Sequence, residues 1–399
     1  MSQTLANAAR TADRVWAGST GRLVSLDAFR GATMAFMILV NTPGDGSHTY
    51  WPLRHAEWHG WTPTDVVFPS FLWIVGVAIT LSLGRRLARG DSRAGLFRKA
   101  AGRAAILFVL GVLVYAYPAF DLSTQRILGV LQRIAICYLA AVAIFLTTRL
   151  RGQTVWIVSL LAVYWLLMAF VPVPGYGAGR LDVEGNFAHY IDRIVLGSHN
   201  YLWTKTWDPE GIVSTLPAIA SCLLGVLGGY IVGSKRGFGE RSLRMLGLGA
   251  VLLAAGLICN HWLPINKKLW TSSYSVFMAG MAMNCFAVCY WLVDVQGWRR
   301  WAKPFAIYGM NAITVFMLAG LLGRILPAIP VTTAAGRKTG LQSYLYDHLC
   351  APFASPDTAP FLSFLASPNN ASLMWALMYV VGLYLVAYVM YRRKWFLRF

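Results

Sequence analysis

Chemically reactive side chains are concentrated in one short stretch, residues 54–65, which reads RHAEWHGWTPTD. It contains His55, Glu57, His59 and Asp65, and a long apolar run follows immediately. Histidine is the side chain best suited to moving protons near neutral pH, and a neighbouring carboxylate can orient it. The stretch therefore has the residue types needed for acid–base or nucleophilic chemistry.

Two other interpretations of this stretch compete with catalysis. In an ordinary solvated loop, Asp65 would be the N-cap of the helix that follows. His55 and His59 are four residues apart and would share a helical face as metal ligands, but Gly60 and Pro63 interrupt a helix there and no HExxH motif occurs. We predict no metal, and the loop and catalytic interpretations both stay open.

Arginines inside apolar segments are the second chemical signal. Arg126 and Arg133, in RILGVLQRIAICYLAAVAIFL, are seven residues apart, which predicts that both lie on one helical face with Gln132 beside the second. A guanidinium inside a membrane must pair with an acidic group or line a polar cavity. A functional role and a structural ion pair both remain open. Arg30 follows Asp27 by three residues. It lies near the end of its predicted helix, so its side chain would reach the membrane surface as readily as a partner inside the membrane.

Tryptophan accompanies carboxylate, amide and amine groups in two further segments, YLWTKTWDPEGIVSTLPA from Tyr201 and LPINKKLWTSSYSVF from Leu263. Carboxylates and amides bind sugar hydroxyl groups, while indole rings cover the apolar faces of sugars. The alternative for each tryptophan is the aromatic belt at a membrane interface. The two segments therefore predict a sugar site or an interfacial belt.

Apolar runs about as long as a bilayer is thick recur along the 399-residue chain, which is 57% hydrophobic and 13% charged. They predict an all-α, polytopic membrane helix bundle with about ten transmembrane helices. We expect a tail at residues 1–25 and one membrane domain at 26–399. The predicted helices are 28–41, 66–83, 104–119, 127–147, 155–171, 212–233, 243–261, 273–293, 305–325 and 373–390. We expect the functional surface to be formed by the long connections 42–65, 172–211 and 326–372.

The excess positive charge follows this predicted topology. The net charge is +19, and 22 of the 35 Lys and Arg residues fall in alternate loops on one side, against nine on the other. The positive-inside rule then places both termini in the cytoplasm. All seven histidines fall on the opposite side or at its boundary. We therefore attribute the charge to topology and predict no nucleic acid partner.

Six motifs occur in an order that resembles one known family. They read RLVSLDAFRGATMAFMILVN, RHAEWHGWTPTDVVFPSFLWIVG, RILGVLQRIAICY, WDPEGIVSTLPAIASCLLG, INKKLWTSSY and YGMNAITVF. Together they resemble the membrane domain of the heparan-α-glucosaminide N-acetyltransferases and their bacterial relatives, over residues 22–391. The resemblance implies acetyl transfer from cytosolic acetyl-CoA to the amine of a glucosamine on the far side of a membrane.

The resemblance also implies roles for individual residues. The family's active-site histidine corresponds to His55 and its partner asparagine to Asn41. We expect His55 to act as general base or as acetyl carrier, and Asn41 to donate a hydrogen bond to the developing oxyanion. Asp65 is expected to orient His55 and to favour its protonated form.

Coenzyme A is large and anionic, so its thioester must pass through the protein to react on the far side. The candidates for coenzyme A contacts are Arg30, Arg85, Arg86, Arg103, Gln132 and Arg133. The candidates for sugar contacts are Trp207, Asp208, Glu210, Asn266, Lys267, Trp270 and Asn311.

The implied protein is an acetyl-CoA-dependent N-acetyltransferase in a bacterial inner membrane that acts on glucosamine or a small glucosaminide on the periplasmic side. Its partners would be acetyl-CoA, the amino sugar, the lipid bilayer and a second copy of the chain in a homodimer. Two alternatives stay open: an amino-sugar transporter with the arginines in its path, and an O-acetyltransferase of envelope polysaccharide. No internal repeat supports the transporter.

Overall fold

The computed structural model describes residues 23–333, 336–355 and 366–396, so residues 1–22 of the predicted tail lie outside it. Within these ranges the chain is almost entirely helical. The helices are α1 (Val24–Asn41), α2 (Val67–Ala88), α3 (Arg93–Ala116), α4 (Val130–Thr147), α5 (Leu150–Phe170), α6 (Phe187–Val195), α7 (Thr215–Val232), α8 (Phe238–Cys259), α9 (Ser272–Tyr290), α10 (Ala302–Met310), α11 (Ala312–Ala328), α12 (Leu341–Leu349) and α13 (Pro368–Arg392). Two short strands, β1 (Pro330–Thr332) and β2 (Lys338–Gly340), form an antiparallel hairpin.

Within the described ranges, nine helices are long and apolar enough to cross a membrane, and the bent pair of α10 and α11 makes a tenth span if both cross together. This confirms the predicted all-α polytopic class. The two short helices α6 and α12 and the hairpin lie in the long connections, which the sequence analysis treated as loops.

The predicted single helix 305–325 is wrong, because α10 and α11 meet at an angle of 78° around Asn311. A close contact between α10 and α1 explains the break. A Cβ added at Gly31 would lie 1.8 Å from the carbonyl oxygen of Phe305, and one at Gly309 would lie 2.1 Å from that of Asp27. Since α10 lies flat against α1 here, the chain has to turn before it continues as α11.

Other helix boundaries also differ from the prediction, and two of them change the placement of predicted site residues or basic residues. Helix α4 begins at Val130, and its N-cap Gly129 is fully extended, so Arg126 precedes the helix and does not share a helical face with Arg133. Helix α3 begins at Arg93, eleven residues earlier than predicted, after Ser92 accepts a hydrogen bond from the backbone N–H of Gly95. Its basic first turns were assigned to a loop because of their charge, although Arg and Lys are good helix formers.

The core is built on close packing between α2 and α7. A Cβ at Gly76 of α2 would lie 1.9 Å from the carbonyl oxygen of Cys222, and one at Gly225 of α7 would lie 2.1 Å from that of Trp73. Trp73 is fully buried beside this contact. Because glycine has no side chain, the two helix backbones come into contact at these positions. The contact holds α2 in the centre of the bundle, and the N-terminal end of α2 contributes to the candidate site described below.

The connections after the first, third, fifth, seventh and ninth spans meet one another at one end of the bundle. Gly60 donates a backbone hydrogen bond to Ile265 (2.8 Å), and Gly44 donates one to Ser372 (3.2 Å). Arg126, in the connection after the third span, donates a hydrogen bond to Asp208, in the connection after the fifth span. The chain therefore crosses back and forth, and the loops that carry the reactive residues are brought together.

The contact between α2 and α7 yields the first testable prediction. We expect Gly76→Ala to lower the free energy of unfolding by about 1–3 kcal/mol, because its methyl group meets backbone and forces the helices apart. The measurement is the melting temperature of the purified protein in detergent. Gly102→Ala in α3 is the matched control, since no atom lies within 4 Å of its added Cβ; equal melting temperatures for the two variants would contradict the close packing.

Candidate functional site

Loops at one end of the bundle enclose a cavity of about 520 Å³, referred to below as the loop cavity. It lies between the C-terminal end of α1, the start of α2 and the connections that precede α4, α7 and α9. Seven of the predicted site residues line it: Asn41, His55, Asp65, Trp207, Glu210, Lys267 and Trp270. Residues that are up to 229 positions apart in the sequence therefore face one space.

His55 lies in this cavity between two charged partners. Its Nδ1 is 2.7 Å from Asp65 Oδ1, and Lys267 Nζ is 2.9 Å from Nδ1 and 3.2 Å from Nε2. The Asp65 side chain is 1% exposed, whereas the His55 side chain is 45% exposed. Since a carboxylate can only accept hydrogen bonds, the Asp65 contact favours the tautomer with the proton on Nδ1. That tautomer leaves Nε2 able to accept a proton or to act as a nucleophile.

Backbone groups hold Asp65 in place. It is the third residue of the 3₁₀ helix Pro63–Val66, and its Oδ2 accepts hydrogen bonds from the backbone N–H groups of Ala56 and Thr62, each at 3.0 Å. The N-cap of this helix is Thr62, so the interpretation of Asp65 as an N-cap is wrong. Its carboxylate closes a capping box on one side and orients His55 on the other.

The surroundings of His55 favour its neutral form. Burial lowers the pKa of His55 below the usual 6.5; the hydrogen bond to Asp65 acts in the opposite direction, and the positive charges of Lys267 and Lys268 lower it further. Burial also lowers the pKa of Lys267, against the raising effect of Asp65 and Glu210. The expected preference for protonated His55 holds for the Asp65 contact taken alone. All effects together lower the pKa of His55 and so favour its neutral form.

A buried ion cluster forms the wall beside His55. Arg126 donates from Nε to Asp208 (2.7 Å) and through its terminal nitrogen to both Asp208 and Glu210. Its guanidinium also lies 4.7 Å from the ring centroid of Tyr115 and 4.4 Å from that of Tyr201. Arg126 thus joins the connection before α4 to the connection before α7, and it orients the Glu210 carboxylate at the cavity wall.

A second buried arginine fixes the start of α7. Arg133 donates to the carbonyl oxygen of Gly211 (2.9 Å) and to the hydroxyl of Ser214. From the opposite side, Asp192 of α6 accepts the backbone N–H of Ile212 at 2.9 Å. Burial raises the pKa of Asp192 to about 6. The segment that contains Glu210 is therefore held by ion pairs to its carboxylates and by hydrogen bonds to its backbone carbonyl groups and from its backbone amides.

The two tryptophans predicted to stack on a sugar are already packed on protein. Trp207 stacks on His189, with ring centroids 4.2 Å apart, and Trp270 lies edge to face with Phe68 (5.0 Å) and Tyr274 (5.3 Å). They are 7% and 1% exposed. Each presents a small, rigid part of its ring to the cavity.

The predicted contacts that do not line the loop cavity include Asp208, Asn266, Asn311 and Gln132. Asp208 is bound to Arg126, and Asn266 Oδ1 accepts the backbone N–H of Leu269, which closes the turn before α9. Asn311 lies at the break between α10 and α11, and Gln132 lies against Gly111 and Gly129. These placements give no support to direct contacts of Asp208, Asn266 or Asn311 with a sugar, or of Gln132 with coenzyme A.

A second cavity of about 430 Å³, referred to below as the bundle cavity, lies deeper between α1, α2, α3, α4, α10 and α11. Most of its lining is apolar, and Arg30 and Arg103 are its charged residues. Its lining and that of the loop cavity share Met37 and Val130. Neither Arg133 nor Gln132 lines either cavity. Arg85 and Arg86 follow the lining residues Ser82 and Leu83 near the end of α2.

One face of α1 runs along both cavities. Arg30, Met34, Met37 and Asn41 follow one another at intervals of three or four residues, so their side chains lie in one row along the helix. The row spans about 16 Å, at 1.5 Å per residue. It leads from an arginine of the bundle cavity at one end to an asparagine of the loop cavity at the other.

Several residues of the loop cavity had no role assigned from the sequence. Tyr115, Tyr201, Trp58 and Lys268 line it, and so does Arg126, which had been predicted to lie within a helix. The available signal was Arg126 itself, since a charge next to an apolar run needs an acidic partner and WDPEG supplies two. Within the described ranges, no group of three or more His, Cys, Asp or Glu side chains is placed to hold a metal ion.

Comparison with known proteins gives consistent matches. A family model described as heparan-alpha-glucosaminide N-acetyltransferase, catalytic, matches residues 22–265. The heparan-alpha-glucosaminide N-acetyltransferase of Mus musculus is 30% identical over 354 residues, which cover 75% of this chain and 53% of the mouse protein. The protein of the same name from Homo sapiens is 32% identical over 351 residues, which cover 74% of this chain and 52% of the human protein. The chain spans about half the length of these curated relatives.

The ion cluster yields the second prediction. Arg126→Met leaves two buried carboxylates without their partner, which typically costs about 3–5 kcal/mol of stability. We expect a large fall in melting temperature, and partial recovery when Asp208→Asn and Glu210→Gln are added, because no buried charge then remains. The exposed pair of Arg180 and Asp182 supplies the control: Arg180→Met should change the melting temperature little. A stable Arg126→Met protein would show that the cluster does not support the fold.

Proposed function

This chain belongs to the heparan-alpha-glucosaminide N-acetyltransferase catalytic family, and on that premise we propose that it transfers an acetyl group from acetyl-CoA to the amine of glucosamine or a small glucosaminide. The observation that carries the proposal is the position of His55, paired with Asp65 on the wall of a cavity that meets a second, arginine-bearing cavity at Met37 and Val130. A transferase that takes its two substrates from opposite sides of a membrane needs such a pair of spaces.

The bundle cavity is the proposed donor site. Its apolar lining suits the pantetheine arm of coenzyme A, and Arg30 and Arg103 supply positive charge for the phosphates. Arg85 and Arg86, beyond the lining at the end of α2, are placed for the outer phosphates of the nucleotide. The acetyl end would enter the loop cavity between Met37 and Val130.

The loop cavity is the proposed reaction site. The acceptor nitrogen attacks the thioester carbonyl carbon, a C–N bond forms, and the C–S bond breaks so that coenzyme A leaves as its thiol. His55 Nε2 takes the proton that the nitrogen loses, or first carries the acetyl group itself. Asp65 holds the Nδ1 proton and fixes the ring. Asn41, exposed at the end of α1, would donate a hydrogen bond to the carbonyl oxygen.

The size and charge of the loop cavity support a small amino sugar as acceptor. A cavity of about 520 Å³ lies in the range of small-molecule sites. Glu210 presents a carboxylate that can bind a hydroxyl or amine group, and Trp58 and Trp207 supply apolar surface. Asp208 would act indirectly, by holding Arg126 and with it Glu210.

We place the open end of the bundle cavity in the cytoplasm and the loop cavity in the periplasm of a bacterial inner membrane. The support is the distribution of positive charge, since the connections that form the loop cavity carry fewer Lys and Arg residues than the others. This orientation exposes the donor site to the compartment that contains acetyl-CoA.

The third prediction tests the assignment of His55. Purified protein in detergent is mixed with acetyl-CoA and glucosamine, and the release of free thiol and of N-acetylglucosamine is followed. We expect equal amounts of both products from the unaltered protein and a loss of about 10²–10⁴-fold in His55→Gln, because the proton acceptor is missing.

His59→Gln is the matched control, because His59 lies four residues away and outside the lining of the loop cavity. It should retain turnover. Full activity of His55→Gln would remove His55 from the mechanism. Thiol release with hydroxyl acceptors but not with amines would make the protein an O-acetyltransferase, and uptake of glucosamine without binding of acetyl-CoA would make it a transporter.

The fourth prediction concerns pH. His55 acts in its neutral form, and burial holds its pKa below 6.5. At a fixed concentration of the neutral amine, kcat/KM for acetyl-CoA should therefore be constant above about pH 6.5 and fall on acidification, with a midpoint below 6.5. Asp65→Asn should move that midpoint lower, because the carboxylate raises the pKa of His55. A midpoint at or above 6.5 in the unaltered protein would contradict the assignment.

A further inference from the structure

The amine of Lys267 lies within hydrogen-bonding distance of the His55 ring. Binding a sugar hydroxyl in the cavity would not require it to be so close to the reacting nitrogen. Its Nζ is 3.2 Å from Nε2 and 2.9 Å from Nδ1, and 3.6 Å from Asp65 Oδ1. The side chain is 21% exposed and lines the loop cavity. The amine therefore lies between the buried carboxylate and the space in which the proposed reaction takes place.

The hydrogen bonds of the ring decide which contact Lys267 can make. Asp65 accepts the proton on Nδ1, so this nitrogen has no lone pair left for a second donor. The Lys267 amine is 2.9 Å from Nδ1 and 3.2 Å from Nε2, and an atom this close to both nitrogens lies over the ring face and not along the in-plane lone pair of Nε2. The amine can therefore donate to a group that binds beside Nε2, the atom that must reach the acceptor nitrogen or the thioester carbon.

We propose that Lys267 is a catalytic residue whose ammonium group stabilises the negatively charged oxygen of the tetrahedral intermediate. The inference rests on the proposed acetyl transfer and assigns a role to a residue first considered as a sugar contact. When nitrogen attacks the thioester carbon, the carbonyl π electrons move to oxygen. A thioester whose carbon is within reach of Nε2 can direct its oxygen toward an amine 3.2 Å from Nε2. Collapse returns the electron pair and breaks the C–S bond; the thiolate takes up the proton that His55 Nε2 removed from the acceptor nitrogen, and coenzyme A leaves as its thiol.

The charged groups around Lys267 agree with this role. Burial lowers the pKa of Lys267; the acidic groups Asp65 and Glu210 act in the opposite direction, and the neighbouring cation Lys268 lowers it further. The same ammonium disfavours protonation of His55, because an imidazolium would place two positive charges about 3 Å apart. One cation would thus keep the base free and stabilise the anion that forms beside it.

Lys268 is a natural comparison because it is the next residue and lines the same cavity. Its Nζ donates to the carbonyl oxygen of Glu57 and lies 5.6 Å from the ring centroid of Trp58. It is therefore directed away from His55. The two lysines have the same charge and chain length and differ in what they touch.

The fifth prediction compares Lys267→Met with Lys268→Met in the detergent assay. We expect kcat to fall about 10²–10³-fold in Lys267→Met, the usual effect of removing one oxyanion donor. The KM values for acetyl-CoA and glucosamine should stay within about twofold, since the contact is made mainly in the transition state. Lys268→Met should reduce kcat by less than about tenfold. Lys267→Arg should recover part of the lost rate, because it keeps the positive charge.

The pH profile is the second readout. The acid midpoint of kcat/KM should move upward in Lys267→Met, because the cation that lowers the pKa of His55 is gone. A purely structural lysine would lower the melting temperature and leave this midpoint unchanged. Melting temperatures are therefore measured for every variant; if Lys267→Met does not fold, Lys267→Gln, which keeps a neutral donor, is compared with Lys267→Arg by the same two readouts.

Three results would overturn the inference. A rise in the KM for glucosamine at unchanged kcat would return Lys267 to the role of a sugar contact. Equal losses of kcat in Lys267→Met and Lys268→Met would show a general charge effect. An unchanged kcat and midpoint would remove Lys267 from the chemistry. Each result leaves acetyl transfer by the unaltered protein intact, whereas failure of the proposed function would appear as an unaltered protein that forms no N-acetylglucosamine.

Discussion

The carboxylate of Asp65 is the group on which the geometry of the loop cavity depends. It is almost completely buried, and it accepts hydrogen bonds from two backbone amides and from the His55 ring while Lys267 lies within 3.6 Å. The carbonyl oxygen of the same residue accepts the hydroxyl of Tyr274 in α9. A buried carboxylate without partners would be costly, so each of these groups is constrained by the others. A loop, a helix start and a distant turn are joined in this way.

The two cavities differ in chemistry, and that difference suits a donor and an acceptor of unlike character. The bundle cavity is mostly apolar with two arginines, and the loop cavity has carboxylates, lysines, a histidine and aromatic rings. They share two apolar residues, Met37 on α1 and Val130 on α4. Charge is thereby kept at the two ends of the path, where water or protein groups can stabilise it, and excluded from the middle.

Both buried arginines in the loop region serve the segment between Trp207 and α7. Arg126 binds its carboxylates and Arg133 binds its backbone and a hydroxyl. For Arg126 the sequence left two roles open, a structural ion pair or a functional group. These roles do not exclude each other, because the ion pair orients the carboxylate that faces the cavity. Arg133 lines neither cavity; it holds the backbone of Gly211 and lies 5.2 Å from the ring centroid of Trp270, which lines the loop cavity.

The sequence by itself determined the class of the protein and the local part of the site. Hydrophobic runs as long as a bilayer predict membrane helices whatever their packing, because the length requirement is set by the lipid. His55 and Asp65 are ten residues apart in one connection, so their pairing needed only a local turn. The order of motifs indicated the family.

The tertiary structure decided what depends on close packing and on distant contacts. The break at Asn311 follows from Gly31 and Gly309, which let α1 and α10 touch, and no property of residues 305–325 alone records that contact. Lys267 reaches His55 across 212 positions, and Arg126 meets Asp208 across 82. Asn266 and Asp208 have the residue types of sugar contacts, yet their polar groups are used by a turn and by an arginine. Sequence shows which groups are available, and only the folded chain shows which of them are already bonded.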